Sequence, residues 1–442
     1  MVGKLNSWPK FFALHSTCKP LLLLAGLLLA ASPVWAGKYA YGEAFVRVGQ
    51  SWSDGGPMQD PLQSEPQATQ DDGHYRRQVS ELEGEGGPYA DALAEPLTGL
   101  GRHYRQQGDM EQALLHYRRA LHVVRVNDGL YSERQMPILR ELLNAYRVNG
   151  EMKTLDNRYD YYFRLYGSGR PPYTDMRLRG SLAYLRWQRE AIRLKIDADE
   201  TQRLLALYQL NDKLLHAVAA ESSVALQWYR NMVLSQIRNL YLLEDRLAPT
   251  DQNSGMASAS PVLADEWNQQ DFNTKRMELI QRGSLAQGVG LLQALIERTA
   301  AAGERTELAR LYLELGDWYQ WHAKDHQAGE QYRQVVQLLS DENQGDLLQQ
   351  WLGQPMELPD NGAFWQFYPN RADDHPVVIS VRYDVSERGR AKNLQADVTD
   401  PAHEGPASRI KRKLARIRFR PRWVNGTAES VSQVQRDYQL ID

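Results

Sequence analysis

The segment LTGLGRHYRQQGDMEQALLHYRRAL, Leu97 to Leu121, decides the fold. Its residues Leu97, Leu100, Gly101 and Tyr104, then Ala113, Tyr117 and Ala120, recur at the spacing of a helix face, with Gly108 between the two runs. That pattern predicts a helix, a tight turn and a second helix. Gly101, Ala113 and Ala120 are small enough to let the two helices approach closely, and the tyrosines fill the space beside them.

These positions resemble, in order, the tetratricopeptide repeat with its W-x2-L-G-x2-Y…A-x3-F…P pattern, with Arg125 where the family often has proline. A second copy, LRELLNAYRVNGEMKTLDNRYDYY, places Leu139, Leu142, Tyr146, Gly150 and Tyr159 in the same order, with Leu143 and Leu155 replacing small residues. A third, YLELGDWYQWHAKDHQAGEQYRQVV, gives Tyr312, Leu315, Gly316, Tyr319, Ala328, Tyr332 and Val335. Between them, residues 176 to 246 carry apolar residues at helical period and predict about four helices of degenerate repeats, since stacked helix pairs need neighbours to bury their faces. The resemblance implies a mainly α chain with a right-handed solenoid of the tetratricopeptide type over 89–246 and 264–350, interrupted by a flexible polar loop at 247–263.

Upstream, Lys4, Lys10 and Lys19 precede the apolar run LLLLAGLLLAAS and the small-residue site at Val34 and Ala36. This is the pattern of a secretory signal peptide over 1–36, with an apolar core too short to span a bilayer comfortably. It predicts an exported, periplasmic protein with no membrane span once the signal is removed. The single cysteine, Cys18, would leave with it, so packing alone must stabilise the mature chain. Removing three lysines from 52 basic residues leaves 49 against 55 acidic, a net charge of −6 that argues against nucleic acid as a partner. Residues 53–88 are polar and rich in Gly, Pro and Gln, and 37–88 as a whole is read as a mostly flexible lead segment.

Past Trp351 the period alternates. PVVISVRYDV (376–385) and AKNLQADV (391–398) read as a hairpin around SERGR, followed by a helix capped at Ser408 with Ile410, Leu414 and Ile417 on its apolar face. In RIRFRPRWVNG (416–426), Ile417, Phe419, Pro421 and Trp423 alternate with four arginines, predicting a half-buried strand that enters an Asn425-Gly426 turn. The order strand, strand, helix, strand, strand, together with YPNRA (368–372), the turn at Gly389, RFRP (418–421) and the Asn425-Gly426 turn, resembles the carboxy-terminal domain of TonB. That resemblance implies a small α+β domain over 352–442.

No Ser/His/Asp signature, P-loop or dinucleotide fingerprint occurs, and no catalytic residue or cofactor is expected. His322 and His326 have the spacing of a metal pair, but lack the glutamate of H-E-x-x-H inside a segment already explained as a repeat, so no metal is expected. Asp373, Asp374 and His375 read as a solvated loop. In tetratricopeptide domains the first helix of each pair lines a groove. By resemblance the groove positions are Thr98, Arg102, Arg105, Arg140, Asn144 and Arg147, suited to a carboxylate-rich or extended peptide or protein partner. The basic run Arg409, Lys411, Arg412, Lys413, Arg416, Arg418, Arg420 and Arg422 is either the solvated face of a helix and strand or a contact for an anionic envelope surface. The functional expectation is a non-catalytic binding or scaffolding module. The alternative is a TonB-like envelope adaptor or energy-coupling component contacting an outer-membrane or cell-wall partner.

Overall fold

The computed structural model describes residues 45–47, 72–197, 200–246, 264–340, 344–364, 378–398 and 400–440. The signal peptide, the 247–263 loop, YPNRA and the Asp373-Asp374-His375 cluster lie outside them. The chain is mainly helical, with a small strand-rich region at its carboxy-terminal end. The helices are α1 (Asp72–Gly86), α2 (Ala94–Gln106), α3 (Met110–Asp128), α4 (Gln135–Val148), α5 (Met152–Leu165), α6 (Asp175–Arg193), α7 (Glu200–Ala220), α8 (Leu226–Arg246), α9 (Ala264–Ala302), α10 (Arg305–Trp321), α11 (Asp325–Leu339), α12 (Gly345–Leu352) and α13 (Glu404–Arg416). From α1 to α12 each helix packs against the next. Three long helices, α6 to α8, occupy the stretch where about four were expected.

The same turn closes three helix pairs. At the end of α2 the Asp109 amide donates to the Tyr104 carbonyl (2.9 Å), at the end of α4 the Glu151 amide donates to Tyr146 (3.0 Å), and at the end of α10 the Lys324 amide donates to Tyr319 (2.9 Å). This wide bond needs a residue in left-handed conformation one position earlier. Gly108 (φ 83°) and Gly150 (φ 76°) supply it without strain, whereas Ala323 (φ 59°) must be forced into it. Asp109 then caps α3 by accepting from the Gln112 amide.

Close approach within the pairs also repeats. A methyl group at Gly101 would meet the Tyr117 ring at 2.5 Å, and one at Gly316 would meet the Tyr332 ring at 2.5 Å. Both tyrosines are fully buried. At Gly180 the occupant is Tyr166, and at Gly99 it is Tyr75 of α1. That last contact explains why α1 forms inside a segment expected to be flexible. With only Val79 buried among its own residues, α1 is held by Tyr75 on α2 and by ion pairs such as Glu83 with Arg119 of α3.

The strands are β1 (Phe45–Arg47), β2 (Met356–Glu357), β3 (Val378–Val385), β4 (Ala391–Asp397), β5 (Phe419–Arg420), β6 (Arg422–Val424), β7 (Thr427–Glu429) and β8 (Val431–Leu440). The main antiparallel sheet has the order β1-β8-β3-β4. Strand β3 alternates strictly, and its Ile379, Val381, Tyr383 and Val385 pack on Ala407, Ile410 and Leu414 of α13. Helix α13 begins at Glu404 after a short 3-10 turn at Pro401–His403, so Ser408 is interior to it. The 416–426 stretch is not one alternating strand. Phe419–Arg420 pairs with Met356–Glu357, and Arg422–Val424 forms a separate hairpin with Thr427–Glu429. β1, from the lead segment, closes the main sheet by pairing Phe45 with Leu440 and Arg47 with Tyr438.

Gly101→Ala and Gly316→Ala should each destabilise by roughly 1–3 kcal/mol through overpacking against the tyrosine rings. Ala323→Gly should raise stability by about 1 kcal/mol by relieving the left-handed backbone. Urea denaturation followed by circular dichroism distinguishes the two signs.

Candidate functional site

The arginines expected in the groove lie on α2 and α4, and the structure gives each a definite environment. Arg102 Nε donates to Glu141 Oε1 (2.8 Å), and Arg105 faces the other oxygen of the same carboxylate at 3.6 Å. Glu141 is buried, while Arg102 and Arg105 remain about a quarter exposed. Arg140 and Asn144 are half-buried on the same helix as Glu141. Two guanidinium groups therefore share one carboxylate at this surface.

Arg147 and Thr98 do not belong to that surface. Arg147 is buried, donates to Glu190 Oε1 of α6 (2.5 Å) and lies over the Trp187 ring. Thr98 is buried and its hydroxyl donates to its own helix at Ala94 O (2.6 Å). The physical reason is the closeness of successive helix pairs, which turns a groove-facing position into an inter-pair contact.

Such contacts continue along the alternate helices. Arg189 of α6 donates to Ser235 Oγ (2.9 Å) and Asn239 Oδ1 (3.1 Å) of α8. Glu244 of α8 accepts from Trp321 Nε1 of α10 (2.6 Å) and from Ser284 of α9, and pairs with His322 at 3.1 Å. These buried polar residues escaped the sequence reading, which counted only the apolar positions of 176–246. Their visible signal is a charged residue inside an apolar helical run, as in NLYLLEDR (239–246). His322 and His326 are not brought together as a metal pair. His322 ends α10 and is buried on Glu244, whereas His326 sits exposed on α11 beside Glu330. No group of three or more metal-ligating side chains occurs among the described residues.

The basic run divides in the same way. On α13, Arg409 and Arg412 are exposed and Lys411 is half-buried. Arg420 turns inward, which removes it from any outward anionic contact, and Arg418 is only partly exposed. Arg420 is buried and makes two bonds to Asp317 of α10, Nε to Oδ1 at 2.8 Å and an η nitrogen to Oδ2 at 2.5 Å. Its other η nitrogen donates to Trp351 O (3.0 Å), and Asp360 lies at 3.4 Å. Burial opposes the charge on Arg420, but Asp317 more than offsets it and holds the guanidinium ionised. Gln320 of α10 adds a clamp, its amide donating to Arg388 O (2.9 Å) and Phe419 O (3.1 Å). Gly389 (φ 64°) lies against the Phe419 carbonyl so closely that no side chain fits there.

Glu314, Asp360 and Glu357 complete this junction between the helices and the small strand-rich region. Glu314 accepts from Asn361 Nδ2 (2.5 Å), and burial with Asp317 nearby pushes it up to about 7. Burial also pushes Asp360 up to about 6, against the pull of Arg420. Glu357 goes the other way. Burial would raise it, but Arg436 (2.6 Å), Arg47 (3.2 Å) and the Tyr438 hydroxyl (2.6 Å) hold it below the usual carboxylate range. The arrangement fixes the strand-rich region on α10.

No protein-family model and no curated protein matches the chain.

Asp317→Asn or Arg420→Met should cost about 3–5 kcal/mol, because each leaves the other charge buried and unpaired. The double change Asp317→Leu with Arg420→Met should recover most of that loss in a double-mutant cycle. Glu314 and Asp360 are raised in the folded chain, so their contribution to stability is full at low pH and is lost as pH rises through about 6 to 7. The melting temperature should accordingly fall between about pH 4 and pH 7, and Glu314→Gln should flatten that fall.

Proposed function

We propose that the chain is an exported, periplasmic, non-catalytic interaction module, built as a right-handed tetratricopeptide-type solenoid with a TonB-like end, whose α2–α4 face takes an acidic peptide or protein segment. The glycine-under-tyrosine contact at Gly101–Tyr117 and Gly316–Tyr332, with the shared turn after α2, α4 and α10, supports the repeat reading. The single observation that carries the partner assignment is that Arg102 and Arg105, each about a quarter exposed, share the one buried carboxylate of Glu141 at a part-exposed surface. Arginine forks hold carboxylates bidentately, so an acidic segment is the matching partner.

A second reading rests on α13. Its exposed Arg409 and Arg412, with Lys411 between them and no acidic residue from 405 to 416, present one sign of charge. This suits an anionic envelope surface or an outer-membrane partner, in keeping with an envelope adaptor.

The test leaves the Arg102–Glu141 bond intact. Photo-crosslinking from position 144 in envelope preparations should trap a partner, and Arg105→Gln with Arg140→Gln should reduce that yield about ten-fold. Unchanged capture by the double variant, with its fold verified by circular dichroism, overturns the reading. Loss only on changing Arg409 and Arg412 would transfer the partner to α13.

A further inference from the structure

A second charged feature lies at the junction and is independent of the α2–α4 face. The Phe419 amide donates to the Gly389 carbonyl (3.0 Å), which sets the following Arg390 and the preceding Arg418 beside one another. Arg418 is nearly buried, its side chain only 11% exposed, and Arg390 is half-buried. Among the described residues neither guanidinium donates a hydrogen bond to the protein. Their shared counter-charge is Asp325 of α11, 3.7 Å from an η nitrogen of Arg418, and that carboxylate oxygen accepts no hydrogen bond either. Burial, with Arg390 repelling it, pushes Arg418 down to about 10. This pair differs from Arg420 two residues on, which makes two short bonds to Asp317.

Asp325 also lines a cavity of about 250 Å3 between α11 and the β6–β7 hairpin. Its apolar wall is Tyr332, Pro421 and Trp423, and Gly329 of α11 leaves the Trp423 ring close to the helix backbone. Trp423 is 9% exposed, and its indole N–H has no hydrogen-bond acceptor. Two arginines against one aspartate leave one positive charge, and the rim residues Glu387 and Arg333 offset each other. A monoanion balances that surplus, whereas a dianion overshoots it and meets Asp325 as well.

We infer that Arg390 and Arg418 form a carboxylate-binding site whose ligand also places an apolar or aromatic group in the Trp423 cavity, as a partner's acidic side chain next to an aromatic one would. The carboxylate replaces the long Asp325 contact with direct bonds from both guanidinium groups, and Asp325, which itself lines the cavity, sets the ligand's apolar group next to them.

The probes are phenylacetate, its neutral amide phenylacetamide, and the dianion phenylphosphonate, titrated into the full chain by calorimetry. Phenylacetate should bind about five-fold or more tightly than phenylacetamide, and Arg418→Gln should remove that preference while leaving phenylacetamide unchanged. Should Arg418→Gln fail to fold, Arg390→Gln, which gives up no side-chain hydrogen bond, carries the same comparison. Equal binding of acid and amide, tighter binding of phenylphosphonate, or an unchanged preference in both variants overturns the inference. The Arg105→Gln, Arg140→Gln variant should bind phenylacetate as the parent does. If that variant loses it, the α2–α4 face is the site instead, and if only the junction variants fail, that face is unaffected.

Discussion

The bidentate bond between Asp317 and Arg420 is the constraint on which the arrangement of the two regions depends. Neither charge can be left alone in the interior, so α10 and the segment after α13 have one docking register that satisfies both. An apolar pair of similar volume could bury as much surface, but would tolerate a shift of a few ångströms. Geometry around the pair narrows the choice further. Gln320, one turn along α10, grips the carbonyls of Arg388 and Phe419, and Gly389 admits the Phe419 carbonyl where a side chain would clash. Trp423 then packs on Tyr332 and Leu352, so the apolar contact follows the polar one.

The same chemistry runs through the helices. Arg102 with Glu141, Arg147 with Glu190, Arg189 with Asn239, and Glu244 with Trp321 join alternate helices from α2 to α10. Buried polar partners of this kind contribute little net stability, but each is costly to break, so they fix the order and spacing of the helices. Where burial is incomplete, as at Arg102 and Arg105, the ladder also presents charge to solvent. The part-exposed arginines and the structural ladder are one series of residues, seen at different depths.

Much of the helical part was legible in the sequence. The Leu97–Leu121 segment gave two helices and the turn at Gly108, because apolar period and glycine conformation are local properties. Helices α4, α5, α10 and α11, the β3–β4 hairpin and the long last strand were legible for the same reason. Helix α1 and strand β1 were not, since both borrow their stability from distant residues: Tyr75 from Gly99, and Phe45 from Leu440. In RIRFRPRWVNG the alternation held for Ile417, Phe419, Pro421 and Trp423, all buried, but the stretch splits into two short strands and Arg420 is buried too. A buried carboxylate on α10, about a hundred residues earlier, draws Arg420 inward, and period alone carries no information about that partner.

The sequence by itself determined the elements: which stretches are helical, where the left-handed turn residues stand, and that two regions of different period follow one another. Tertiary structure decided the state of each charge. Arg147 and Arg420 look in sequence just like Arg102 and Arg412, yet they are removed from the outer surface. The reason is that a charge's availability is set by the distance to its counter-charge and by the depth of burial. Both are properties of how helices and strands meet, and neither is written in the spacing of residues along the chain.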